Sequence, residues 1–136
     1  MVERIEHSGQ LLALVVRGGT QQDGLRFVTP PESSLQLGIH QHGAGAAVKP
    51  HIHRGGSRTV NDVQEMLHLE SGKAEARFYD GDGRQIAITT LSCGDTILLM
   101  SGGHGFRFLE PTKMIEVKQG PYLGVHEDKQ RFEAVE

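Results

Sequence analysis

The stretch Glu65-Met66-Leu67-His68-Leu69-Glu70-Ser71-Gly72-Lys73-Ala74-Glu75-Ala76-Arg77-Phe78-Tyr79-Asp80-Gly81-Asp82-Gly83 decides the fold class. Glu65 to Glu70 reads as a strand closed by Ser71-Gly72, and Lys73 to Tyr79 reads as a second strand. The run Asp80-Gly81-Asp82-Gly83 is hairpin-turn chemistry, because Gly and Asp tolerate the positive φ that tight turns demand. Gln85 to Leu91 then returns as a third strand. The same turn also looks superficially like a calcium loop, but it has no Glu at the twelfth position and is read as a turn.

Outward from this segment the pattern repeats. Leu11 to Val16 is an apolar run stopped by Arg17-Gly18-Gly19, and Leu25 to Thr29 runs into Pro30-Pro31. Leu35 to His42 alternates with period two, as a half-buried strand does. Thr96 to Met100 and Met114 to Val117 are two more apolar strands, with Gly102-Gly103 and Phe106-Arg107-Phe108 between them. Nine or ten short strands with frequent turn signals, and no helix of ten residues, predict an all-β closed barrel or double-sheet sandwich. No linker, repeat or low-complexity tract divides the 136 residues, so a single domain over 1–136 is expected. The polar residues 123–136 are expected to cover an edge or to fray.

Composition narrows the function classes. A net charge of −3 argues against nucleic acid as a partner. No apolar window has the ~20 residues of a membrane-spanning helix, and the first residues lack the apolar core of a secretion signal. A single cysteine, Cys93, fits a reducing compartment and predicts a cytoplasmic protein. Beside the apolar strand at 96–100, Cys93 reads as a small buried hydrophobe.

Histidine carries the chemical signal. Four of the eight histidines, His40, His42, His51 and His53, fall within fourteen residues. His51 and His53 are separated by one residue, so on an extended segment both imidazoles point to one side. Glu65 heads a largely apolar strand, where a buried carboxylate needs a partner. His104 lies in the Gly-rich stretch Ser101-Gly102-Gly103-His104-Gly105. Three imidazoles and a carboxylate suit one divalent transition metal ion: Fe, Mn, Ni, Zn or Cu.

These residues resemble the motifs of the cupin family. Gly45, five residues, His51-Ile52-His53, and then Glu65, six residues, Gly72, are similar to the first cupin motif. Gly94, Met100, Gly102 and His104 are similar to the second. The chain departs from the pattern in three respects. Eleven residues separate His53 from Glu65 instead of three or four. The interval from Gly94 to His104 is one residue short. Met100 and Phe108 stand where the motif has Pro and Asn. The resemblance covers about residues 35–120 and implies a jelly-roll β-barrel with His51, His53, Glu65 and His104 as metal ligands. The stretch Ile115 to Tyr122 is similar to small uncharacterised cupins of bacterial polysaccharide loci. Cupin relatives include dioxygenases, sugar isomerases and epimerases, so the resemblance implies a metal-dependent enzyme acting on a small polar or anionic molecule. The alternative is a metal- or ligand-binding module without turnover.

Other residues carry weaker expectations. Arg54, Arg58, Arg107, Lys118 and Tyr122 are candidates for meeting a polar or anionic ligand, the two loop arginines as part of a lid. His40 and His42 read as a polar sheet face, and His68 has the wrong parity to join Glu65. His7 and His126 carry no argument. Leu11 to Val16 reads as buried on both faces, which predicts a homodimer covering one of them.

Overall fold

The computed structural model describes residues 1–125 and 129–135; His126 lies outside them. The chain is all-β, as expected, with antiparallel pairing throughout its sheets. Ten strands form among the described residues: β1 (Val2–His7), β2 (Gln10–Val16), β3 (Gly24–Phe27), β4 (Gly38–Gln41) and β5 (Glu65–Ser71) in the first half. The second half supplies β6 (Lys73–Tyr79), β7 (Gln85–Ser92), β8 (Thr96–Leu99), β9 (Gly103–Phe108) and β10 (Lys113–Lys118). They make a five-stranded sheet, β1-β2-β8-β5-β10, a three-stranded sheet, β7-β6-β9, and the pair β3-β4.

The main core lies between the two larger sheets. Val15, Leu67, Leu69, Ile97 and Leu99 of the five-stranded sheet pack with Ala74, Ala76, Phe78 and Leu91 of the three-stranded one. The chain passes from one sheet to the other at Gly72, which has φ +95°; a Cβ there would lie 2.4 Å from the Pro111 carbonyl oxygen. Only glycine fits this corner.

The sheets do not close into a hydrogen-bonded barrel, and this corrects the closed-barrel expectation. Residues 42–64 contribute no strand and are exposed except for Gln64. Gly43, Gly45, Gly55 and Gly56 weaken strand propensity there, and Pro50 has no N–H to give a ladder. The five-stranded sheet therefore ends at β10, and the three-stranded sheet at β9.

The opposite face of the five-stranded sheet is covered from within the chain. Leu14, Leu98 and Met100 pack against Val28, Leu35 and Leu37 of the segment that joins β3 to β4. This explains the two-sided apolar reading of Leu11 to Val16, because both faces of β2 find partners in the same molecule. A bulge adds to the effect. Ile5 pairs with Ala13 and Glu6 with Leu11, so Leu12 is the extra residue and joins Ala13 in the main core.

Three local readings change. Residues 2–7 form a strand that their charged composition concealed. His104 lies on a strand rather than in a loop, because its glycine neighbours Gly103 and Gly105 pair with Tyr79 and Arg77 of β6. Cys93 is exposed in the turn before β8, its thiol donating to the Glu70 carbonyl at 3.3 Å, and is not a core residue.

A buried polar network ties the end of β8 nearest Asp95 to β1, β2 and β7. Asp95, 6% exposed, accepts from the backbone N–H groups of Gly18 (2.9 Å) and Ser92 (2.8 Å). Arg17 donates to Asp95 at 2.9 Å, to Glu3 through two nitrogens and to the Thr90 carbonyl at 2.6 Å. Burial pushes the Asp95 carboxyl up, yet these donors outweigh it and hold the group below its usual range. Asp95→Ala strands two backbone donors and removes one of the acceptors of Arg17. The expected loss is about 3 kcal/mol, measured as a lowered urea midpoint with an unchanged denaturant slope.

Candidate functional site

The unclosed side of the sandwich forms a cleft of about 870 Å³. Its walls come mostly from three sources, with Val63, Tyr79 and Gly102 beside them. Strands β5 and β10 give Glu65, Leu67, Met114, Glu116 and Lys118; β9 gives His104 and Phe106; residues 129–134 of the C-terminal segment pass across it.

Strand register explains why the polar groups meet. Glu65 pairs with Lys118, and Leu67 with Glu116, so these four share the inward face of antiparallel neighbours. His104 pairs with Phe78 on the facing sheet, and Phe106 lies two residues further along the same side. His104 Nε2 donates to Glu65 Oε1 at 2.7 Å, linking one sheet to the other. The Glu65 side chain is 14% exposed and that of His104 33%.

Electrostatics separates the two carboxyls. The hydrogen bond from His104 is the largest influence on Glu65 and outweighs burial; with help from Glu116 and the Lys118 charge it holds the carboxyl at about 2. Glu116 moves the other way, upward, because it hydrogen-bonds to Glu65, is partly desolvated and faces that negative charge, against smaller pulls from Lys118 and Lys129. Glu65 is the ionised member of the pair, and Glu116 is the one that retains a proton more readily.

Of the expected metal ligands, the structure brings Glu65 and His104 together. His51 and His53 lie on the exposed 42–64 segment with ring centroids 5.0 Å apart. Nε2 of His104 is engaged as a donor to Glu65, so the four groups do not form one set in this arrangement. Among the described residues no group of three or more His, Cys, Asp or Glu side chains is arranged to hold a metal ion.

The ligand-binding candidates divide similarly. Lys118 lines the cleft. Tyr122 is exposed, with its ring 5.9 Å from the Lys118 ammonium. Arg54 and Arg58 are exposed on the long segment. Arg107 pairs with Glu75 and has the parity opposite to His104 and Phe106, which places it on the outer face of its sheet. His40 and His42 are exposed and lie 3.1 Å apart through ring nitrogens, and His68 bonds Thr96 Oγ1 at 2.9 Å.

Sequence reading missed Glu116, which was visible as the one charge between Ile115 and Val117 in an apolar strand. It also missed Lys129, Arg131 and Phe132, for which no local signal existed: only the path of the tail places them at the cleft.

No protein-family model matches the chain, and neither a curated protein nor a solved structure does. No helix among the described residues is long and apolar enough to cross a membrane.

The two carboxyls make opposite contributions to stability as pH changes. Glu65, held low, contributes stability that is present above its ordinary 4.5 and is lost as pH falls toward about 2. Glu116, held high, contributes stability that is full below 4.5 and is lost as pH rises through its raised value. At pH 7 the Glu65 gain is therefore intact, and the Glu116 gain is lost only once pH passes its raised value. Glu116→Gln keeps a hydrogen-bond donor for Glu65 without the second charge. Once pH exceeds the raised value of Glu116, it is expected to be more stable than the wild type by about 0.5 kcal/mol, solvent screening keeping the gain small. Glu65→Gln is expected to lower stability at pH 7 and to flatten the acid limb between 4.5 and 2. Urea titrations between pH 3 and pH 9 check both signs.

Proposed function

We propose that this chain is a cupin-type protein that binds a small polar or anionic molecule in the cleft and acts on it by proton transfer, as an isomerase or epimerase does. The observation that carries the reading is the 2.7 Å bond from His104 Nε2 to the Glu65 carboxylate on the wall of an 870 Å³ cleft. A carboxylate that accepts from one ring nitrogen fixes the imidazole tautomer and leaves the other nitrogen, Nδ1, able to take a proton. Glu65 stays ionised and stabilises the imidazolium so formed. Glu116 retains its proton more readily and supplies the acid. Two carboxyls driven apart by their surroundings divide the acid and base roles. In the reaction proposed, a proton leaves the carbon next to a carbonyl for His104 as Glu116 protonates the carbonyl oxygen. Reversal at the neighbouring carbon completes the isomerisation and restores both groups.

A different state of the site, in which metal bonds would replace the His104–Glu65 hydrogen bond, is also proposed: one divalent transition metal ion, Fe, Mn, Ni, Zn or Cu, as cofactor, with His51, His53, Glu65 and His104 as the residues that would hold it. Support comes from His51, whose Nδ1 lies 2.8 Å from the Lys49 carbonyl oxygen. That contact orients the ring and leaves Nε2 as the ligating nitrogen. Such an ion would supply Lewis-acid polarisation of a carbonyl, or the oxygen chemistry of a dioxygenase. Leu67, Phe106 and Met114 on the cleft wall favour the alternative, a non-catalytic binding or sensing module.

Proton exchange into a panel of hydroxy-carbonyl compounds and oxo acids in D₂O, followed by NMR, tests the reading. Exchange is expected for the wild type, falling by about 10²-fold or more in Glu65→Gln and His104→Ala. Binding without exchange would favour the non-catalytic module. Metal analysis of the purified protein beside a His51→Ala/His53→Ala variant tests the cofactor: stoichiometric metal lost in the variant supports it, and equal content in both contradicts it.

A further inference from the structure

The C-terminal segment is built into the cleft. Val135 N–H donates to the Gly83 carbonyl at 2.8 Å, and Gln85 N–H donates to the Val135 carbonyl at 3.3 Å. Phe132 meets Tyr79 edge to face, with centroids 5.4 Å apart and planes at 81°. Gly103 makes room for that ring: a Cβ there would come within 3.1 Å of it. The segment is thus held by its backbone at one point and by a ring at another. Between Phe132 and the β10 strand it carries Lys129 and Arg131, both lining the cleft.

The cleft lining is mixed in chemistry. Ionised Glu65 repels an anion. Lys129 and Arg131 on the tail attract one, and Arg131 offers a planar fork suited to an oxyanion. Leu67, Phe106 and Met114 give the same lining an apolar part.

We infer that the cleft takes an amphipathic oxyanion: a small molecule with a carboxylate or phosphate at Lys129 and Arg131 and an apolar body against Phe106, Met114 and Phe132. The tail is then part of the binding site. This names a ligand class for the site proposed above and rests on that reading for the role of Glu65 and His104.

The test uses the full chain and three probes of one shape: phenylacetate, phenyl phosphate and neutral phenylacetamide, titrated by calorimetry at low salt. At least one anion is expected to bind tenfold or more tightly than the amide, and which one does so separates a carboxylate from a phosphate ligand. Lys129→Ala/Arg131→Ala is expected to bring the anions to the level of the amide while the amide is unaffected. Phe132→Ala is expected to weaken all three, and added salt only the anions. Equal binding of amide and anions by the wild type, or an anion preference that survives the double substitution, would overturn the inference. Glu65→Gln separates the two claims. Loss of proton exchange with the anion preference retained supports both, whereas wild-type exchange without any anion preference overturns the ligand class and leaves the Glu65–His104 reading standing.

Discussion

One hydrogen bond that crosses between two sheets organises the candidate site. Glu65 opens β5, His104 stands near the start of β9, and they meet at 2.7 Å. Each is placed by a period of two, so a one-residue slip in either strand would turn its side chain to the opposite face. The pairings Glu65–Lys118 and His104–Phe78 therefore matter as much as the residues themselves. The carboxylate is mostly buried, and its bond from the imidazole and its lysine neighbour are what make an ionised group tolerable there.

The two ends of the five-stranded sheet have different work. Thr96, at the start of β8, pairs with Val16, next to the Arg17–Asp95 network, whereas Leu99, at the end of β8, pairs with Glu65. One end is thus locked by a buried carboxylate with backbone and guanidinium donors. The other opens on the cleft, where the sandwich lacks a closing strand and the C-terminal segment lies instead. Rigid strands beside an unclosed edge hold the polar pair in place and leave room for a ligand.

What could be read from the sequence was whatever local period and turn chemistry determine. Strands β5 to β8 were legible because apolar alternation and Asp80-Gly81-Asp82-Gly83 fix them without distant help. Glu65 and His104 stood out by residue type, and the structure brings them together. The open edge was not legible, because it depends on what residues 42–64 fail to do. Nor was the inward cover of β2: two-sided burial is the same pattern whether the second layer comes from a partner or, as here, from Val28, Leu35 and Leu37. Residues 129–135 have a polar composition that gives no sign of the close contact between Phe132 and Tyr79.

The candidate site depends most on His104 donating to Glu65 across the sheets, and long-range ¹H–¹⁵N spectra of the histidine side chains observe that directly. In the wild type the Nε2 of His104 is predicted to be a protonated, hydrogen-bonded nitrogen. Its resonance is predicted to move in Glu65→Gln, with the signals of the exposed His40 and His42 unchanged. A His104 spectrum with Nε2 unprotonated, or one identical in wild type and Glu65→Gln, would contradict the account.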